Sequence, residues 1–228
     1  MNDDMDTASN LAAMVYPKVF RTDFSQPGFA LINLEPEFGS QRQRHLMIEL
    51  KHALARLDHE HRGRNLVYQS LGRFDQQVTT KPHRDGGPDE SILMLGYEPT
   101  VVPSRVSMSD YSQCSFDMGL TPSEFIDRHN PMFRDGRERL VDYTTELIEF
   151  DHTCFQILVI NNSLAPVGDQ RLQGVLHTAE IIAPDLDQLR VVNSTMIGCG
   201  EEPMSGVSEN DVVSFLSDDV IRKAAYET

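Results

Sequence analysis

The sequence has few basic residues for its length. It carries 20 lysines and arginines against 35 aspartates and glutamates in 228 residues, a formal net charge of −15 at pH 7. Such a charge repels polyanions and argues against nonspecific binding to nucleic acid or to an anionic membrane surface. We therefore expect neither of these as a partner.

Cysteines and long apolar runs are also scarce. Cys114, Cys154 and Cys199 are too widely spaced for a disulfide framework or a zinc knuckle, so we expect free thiols in a reducing cytoplasm. No apolar run approaches the length of a membrane span. Residues 1–6 are acidic and lack the basic and apolar regions of a signal peptide, which also favours a cytoplasmic location.

The length suits one domain with a substantial core. Residues 1–10 are polar and without periodicity, which predicts a disordered N-terminus ahead of a single domain over 11–228. Apolar residues at three-and-four spacing over 40–61, with Ser40 as N-cap, predict an amphipathic helix. A similar pattern predicts a C-terminal helix at about 208–225.

Short strand-like runs occupy most of the remaining chain. They lie at 14–20, 28–34, 66–71, 91–97, 105–109, 146–150, 154–162, 174–182 and 188–197. The runs 146–150 and 154–162 predict a hairpin. The pattern breaks over 111–140, where Thr121 and Glu124 predict a capping box at the start of a short helix. This insertion is either a substrate lid or packing decoration.

An imidazole and a carboxylate stand two residues apart in the segment 79–87. Because strand side chains alternate between faces, His83 and Asp85 point the same way if this segment is extended. Together they are two thirds of a facial triad for a divalent metal, most typically non-haem Fe(II). The strand-like run 174–182 contains one imidazole, His177, which is the candidate third ligand.

A single guanidinium opens the following strand-like run. The planar fork of Arg190 suits a carboxylate in geometry as well as in charge. By strand parity Arg190, Val192 and Ser194 share a face, so Ser194 can add a hydroxyl beside the guanidinium. The same parity, counted back from His83, places Gln77 on the inward face as a candidate cofactor contact.

The order His-x-Asp, a long interval, His and then Arg resembles the Fe(II)/2-oxoglutarate-dependent oxygenase superfamily, over residues 73–198. The resemblance implies a mainly β fold with flanking helices and a double-stranded β-helix (jelly-roll) core. It implies that His83, Asp85 and His177 hold the iron. Arg190 would then bind the distal carboxylate of 2-oxoglutarate. The implied activity is oxidation, by default hydroxylation, of a small-molecule substrate by O2 with release of succinate and CO2.

One position departs from the superfamily pattern. Several of its branches have a tyrosine near the position of Phe74 that hydrogen-bonds 2-oxoglutarate, and phenylalanine has no hydroxyl to do so. Gln69, Gln76 and Gln77 are the candidates to replace that contact.

Two alternative functions stay open. The first is a cupin-like metal enzyme that uses no 2-oxoglutarate, in which Arg190 is structural. The second is a non-catalytic jelly-roll binding protein, favoured by the missing tyrosine. A metal hydrolase would need further clusters of Asp or His, which the sequence does not offer. If the substrate is anionic, Arg73, Arg84 and Arg105 are the candidates to meet it.

Overall fold

The computed structural model describes residues 2–200 and 206–223. Met1, part of the predicted disordered N-terminus, and positions 224–225, the end of the predicted C-terminal helix, lie outside them. About 27% of the chain is strand, so the fold is a mixture of helices and antiparallel sheets rather than mainly β. No helix within the described residues has both the length and the apolar character to cross a membrane.

The helices and strands are as follows. The helices are α1 (Asn2–Val19), α2 (Ser40–Arg62), α3 (Tyr111–Asp117), α4 (Pro122–Arg128), α5 (Arg134–Leu140), which a 3-10 turn at Val141–Tyr143 follows, and α6 (Glu209–Ser217). The strands are β1 (Phe29–Asn33), β2 (Asn65–Asp75), β3 (Ser91–Tyr97), β4 (Ser104–Ser109), β5 (Thr144–Glu146), β6 (Gln156–Asn161), β7 (Leu176–Ile181), β8 (Val191–Gly200) and β9 (Arg222–Lys223).

The strands form two sheets. The larger has the order β1-β6-β3-β8-β2-β9 and is antiparallel except for the pair β2 and β9. The smaller has the antiparallel order β5-β4-β7. The predicted hairpin of 146–150 with 154–162 is wrong, because β5 pairs with β4 whereas β6 lies between β1 and β3. Strands that follow each other in sequence pair often but not always.

A hydrophobic core lies on each face of the larger sheet. On one face, Leu50 and Leu54 of α2 pack with Ile92 and Met94 of β3, and α1 and α6 add to the same cluster. On the other face, alternate residues of the same strands pack against Val106 and Met108 of the smaller sheet. Burying a large apolar side chain contributes about 1.5–3 kcal/mol, so these two clusters hold the layers together.

Helix α1 covers residues 2–10, which the sequence predicts to be disordered, and most of the strand predicted at 14–20, which is wrong. Ala8, Ala12, Val15 and Val19 recur at helical spacing and are at most 3% exposed in the cluster with α2. Packing of this apolar stripe outweighs the polar composition of residues 1–10, because most helical stability in proteins comes from tertiary contacts.

The helix predicted at 40–61 is confirmed, but its cap is not. Gly39 is the N-cap residue of α2 and makes no side-chain capping bond. The Ser40 hydroxyl instead donates to Glu98 Oε1 at 2.6 Å. This bond ties the start of α2 to the chain that follows β3.

The insertion 111–140 forms three short helices around its own small core. Its predicted capping box is confirmed at α4, where the Thr121 hydroxyl accepts from the Glu124 N–H and the Glu124 carboxylate accepts from the Thr121 N–H. Phe125 and Leu140 pack with Leu176 of β7.

The C-terminal helix is shorter than predicted. It begins after Ser208, whose hydroxyl caps it in a box with Asp211, and it ends at Ser217. Asp218 is extended, and the chain then adds Arg222–Lys223 beside β2.

Candidate metal centre

The segment that follows β2 runs along the edge of β7. The Thr80 N–H donates to the Ala179 carbonyl at 2.9 Å, and the Thr80 hydroxyl accepts from the Ala179 N–H at 2.9 Å. The Thr79 hydroxyl accepts from the Ile181 N–H in the same way. Side-chain hydroxyls thus stand in for regular strand pairing, and Pro82, which has no N–H to donate, fits this edge position.

The two histidines are neighbours through their main chains. The His83 N–H donates to the His177 carbonyl at 3.1 Å, and the His177 N–H donates to the His83 carbonyl at 3.0 Å. Such a reciprocal pair is one rung of an antiparallel ladder, and it brings the two rings together.

His83, Asp85 and His177 converge as the sequence predicts. Each offers one ligand atom, and the three atoms lie within 4.8 Å of one another. Asp85 Oδ1 is 3.4 Å from Nε2 of His83 and 3.9 Å from Nε2 of His177, distances that are long for direct hydrogen bonds. The carboxylate therefore faces both rings across a space suited to one cation. In the described part of the chain, no other group of three His, Cys, Asp or Glu residues has this arrangement.

The two imidazoles are oriented by different contacts. His83 Nδ1 is 2.8 Å from the Lys81 carbonyl, which can only accept, so Nδ1 carries the proton and Nε2 is left to bind a metal. His177 Nδ1 is buried and has no hydrogen-bond partner among the described residues. Burial and the main-chain pairing with His83 hold its ring instead.

The protonation states of His177 and Asp85 suit a metal ligand set. Burial, reinforced by the neighbouring His83, lowers the pKa of His177 to about 4, although Asp85 opposes the shift. Burial would raise the pKa of Asp85, but the neighbouring His83, His177 and Arg84 hold it below its usual value. Burial would lower the pKa of His83, but the neighbouring carboxylate of Asp85 raises it overall. His177 is thus neutral and Asp85 ionised at neutral pH.

The three side chains open into a cavity of about 380 Å³ between the two sheets. Its walls come from β2, β3, β7 and β8 and from the segment after β2. The lining residues besides the triad are Ser70, Phe74, Gln76, Thr80, Leu95, Tyr97, Ala179, Arg190, Val192 and Ser194. This volume is in the range of small-molecule sites. None of the residues 111–140 lines the cavity, so in this arrangement the insertion packs on β7 rather than covering the site.

Arg190 lies in the cavity wall, and two of the three nitrogens of its guanidinium make hydrogen bonds with the described residues. The side chain is 2% exposed, Nε donates to the Ser104 hydroxyl at 3.0 Å, and Nη1 donates to the Gln76 carbonyl at 3.0 Å. Nη2 is buried and has no partner among the described residues, and none of their carboxylates forms an ion pair with it. Burial lowers the pKa of Arg190, yet a guanidinium stays charged at neutral pH. A buried cation with a free donor is a receptor for an anion.

Tyr97 is a cavity residue that the sequence patterns did not single out. Its ring centroid is 5.3 Å from the Arg190 guanidinium carbon. Burial raises the pKa of Tyr97, although Arg190 opposes the shift, so the phenol stays protonated and can donate a hydrogen bond. Phe74, which has no hydroxyl, lines the same cavity.

Of the other predicted cofactor contacts, some line the cavity and some do not. Ser194 lines the cavity on the same strand face as Val192, as parity predicts, and Gln76 lines it as well. Gln77 is not among the lining residues. Its amide donates to the Gln188 carbonyl and accepts from the Asp185 N–H, which ties it to the turn before β8. Gln69 contacts the Val67 carbonyl instead.

The three arginines considered for an anionic substrate either have partners outside the cavity or are exposed. Arg73 pairs with Glu98 at 2.9 Å on the far side of β2. Arg84 donates to the main-chain carbonyls of Asn162, Gly87 and Pro88. The Arg105 side chain is 58% exposed. None of the three lines the cavity.

Comparison with known proteins gives no relative from which a function can be taken. No model of a protein family matches the chain, and no curated protein is significantly similar to it. The chemistry therefore has to be inferred from the site.

Proposed function

We propose that this protein is an Fe(II)- and 2-oxoglutarate-dependent oxygenase that oxidises a small molecule, built on a double-stranded β-helix core. The observation that carries the proposal is a buried His-Asp-His group and a buried Arg190 with a free donor in the wall of one cavity. Two antiparallel sheets that pack face to face around that cavity support the proposed core.

The donor set fits iron. Two imidazoles and one carboxylate, from His83, His177 and Asp85, would hold Fe(II) and leave room for 2-oxoglutarate and O2. When bound, iron and 2-oxoglutarate supply the oxidation of the substrate, with release of succinate and CO2. The protein holds and orients these groups and excludes water.

The Arg190 site fits the distal carboxylate of 2-oxoglutarate. Nη2 has no hydrogen-bond partner among the described residues, and the bonds from Nε to Ser104 and from Nη1 to Gln76 fix the plane of the fork. The Tyr97 hydroxyl adds a neutral donor beside it. A charge-assisted hydrogen bond contributes about 1.5–3 kcal/mol, so Arg190 is the main anchor and Tyr97 a smaller one.

The remaining wall favours an uncharged substrate. Apart from the triad and Arg190, the described residues that line the cavity are neutral. A charged group carried into these walls would lose its hydration without gaining a partner. We therefore propose a small molecule whose reacting part is apolar or carries neutral polar groups, with O2 as co-substrate.

An anaerobic titration of the purified protein with Fe(II) and 2-oxoglutarate tests the proposal, with the visible metal-to-ligand charge-transfer band as the signal. We expect a band in the wild type, no band in His177→Ala, and a band in Arg190→Ala only at far higher 2-oxoglutarate concentrations. The matched controls His59→Ala and Arg105→Ala alter exposed side chains and should behave as the wild type.

Two other outcomes would replace the proposal. Metal binding without a band at any 2-oxoglutarate concentration would favour the cupin-like enzyme, with Arg190 in a structural role. No metal binding would contradict the enzyme and leave a binding protein.

A further inference from the structure

The metal ligand Asp85 lies in a segment without regular secondary structure, and its main chain has one partner. The Asp85 N–H donates to Oδ1 of Asn162 at 3.0 Å, and the Asp85 carbonyl accepts from Nδ2 of Asn162 at 3.0 Å. Within the described residues no other group hydrogen-bonds to this main chain. One amide side chain thus takes the place that a neighbouring strand would fill in a ladder.

Asn162 is itself rigidly held. It directly follows β6, its side chain is fully buried, and its N–H donates to the Ser91 carbonyl at 2.8 Å. Its own carbonyl accepts from Arg84 Nε at 3.1 Å, so it contacts the residue before the ligand as well. These contacts connect the loop of Asp85 to the centre of the larger sheet.

We propose that Asn162 is a positioning residue for the metal centre, which fixes the Asp85 carboxylate opposite the two histidines. His83 and His177 are fixed by pairing with each other, whereas Asp85 depends on this amide. The inference rests on the proposed metal site. Residues that orient metal ligands typically change metal affinity by about 10- to 100-fold when they are replaced.

The neighbouring Asn161 provides a matched control. It is equally buried, and its amide makes hydrogen bonds of its own, from Nδ2 to the Val19 carbonyl at 2.8 Å and to Oδ1 from the Ser163 N–H at 3.2 Å. These bonds go to α1 and to the chain after β6 and do not reach Asp85. Asn161→Ala therefore removes a similar amide without altering the ligand.

The test is anaerobic binding of Fe(II), and of Co(II) as a spectroscopic probe, to the wild type, Asn162→Ala and Asn161→Ala. We expect Asn162→Ala to bind Fe(II) about 10- to 100-fold more weakly and to give an altered Co(II) absorption spectrum. Asn161→Ala should keep the wild-type affinity and spectrum, even if its stability falls. Asn162→Ser, which removes less volume, serves if Asn162→Ala does not fold, and the same weakening and spectral change are expected of it.

Each contrary outcome has a distinct meaning. Equal affinities and identical Co(II) spectra in the wild type and the Asn162 variants would overturn the positioning role. Equal losses in Asn161→Ala and Asn162→Ala would also overturn it, because they would reflect general destabilisation. If the wild type binds neither metal, the proposed metal site fails and this inference fails with it.

Discussion

His83 and His177 exchange two main-chain hydrogen bonds, of 3.1 and 3.0 Å. This pairing depends on neither imidazole, so the positions of the two side chains are set by the backbone before any metal binds. Preorganised ligands need little rearrangement on binding, which favours affinity. Because the pairing is made by main-chain atoms, a substitution can remove either ring without breaking it.

His83→Ala should leave the fold intact and abolish stabilisation by metal. The side chain is 19% exposed and the backbone bridge survives, so the unfolding free energy should change by less than about 1 kcal/mol. A cation at 100 times its dissociation constant stabilises the wild type by about 2.7 kcal/mol, or about 5–10 °C in melting temperature for a domain of this size. Differential scanning fluorimetry with and without anaerobic Fe(II) measures the melting temperature of the variant and its shift on addition of metal. A metal-dependent rise in His83→Ala equal to that of the wild type would contradict the ligand assignment, and His59→Ala is the control.

Tyr97→Phe should weaken 2-oxoglutarate binding without affecting Fe(II) binding. Loss of one neutral hydrogen bond costs about 0.5–1.5 kcal/mol, or about 2- to 12-fold in the dissociation constant. The charge-transfer titration measures this change. Tyr68→Phe is the control, because Tyr68 is similarly buried and its hydroxyl has no partner among the described residues. Equal affinities in the wild type and Tyr97→Phe would remove Tyr97 from the cofactor site.

Gln77→Ala should affect stability and not the cofactor. Its amide joins the segment after β2 to the turn of 185–188, and loss of such bonds at a partly exposed position costs about 1 kcal/mol. Urea unfolding measures that loss, and the charge-transfer titration should give the wild-type 2-oxoglutarate affinity. A clear fall in affinity would restore Gln77 as a cofactor contact.

The position of Gln77, which is not among the residues that line the cavity, shows where sequence parity stops being useful. Counting by twos from His83 assumes a continuous strand, but β2 ends at Asp75 and the next residues are irregular as far as the bridge at His83. The parity of Arg190, Val192 and Ser194 held because the regular strand β8 begins directly after Arg190. Pattern arguments are reliable inside an element and fail across its ends.

Tyr97 was missed for a different reason. Every residue of β3 is buried, so its sequence does not distinguish the face toward the helices from the face toward the cavity. Only the packing shows that Leu93, Leu95 and Tyr97 face the smaller sheet. Asn162 carried a signal that sequence reasoning did not use, since an amide that directly follows a mostly apolar, buried strand needs buried partners.

Arg73→Met tests whether this arginine belongs to the fold or to the site. Its Nη2 is 2.9 Å from Glu98 Oε1 and its Nε is 3.0 Å from Asn193 Oδ1, in a network on the face of the larger sheet away from the cavity. Removing one partner of a buried ion pair costs about 3–5 kcal/mol, and we expect about 3 kcal/mol because Glu98 keeps hydrogen bonds from Ser40 and Asn193.

Urea unfolding of Arg73→Met, beside the exposed control Arg105→Met, measures that loss. The control should stay within about 0.5 kcal/mol of the wild type. Fe(II) and 2-oxoglutarate affinities of the folded Arg73→Met protein should match the wild type, because the arginine does not reach the cavity. A stable Arg73→Met protein with weakened ligand binding would place the guanidinium in the site and contradict the neutral substrate wall.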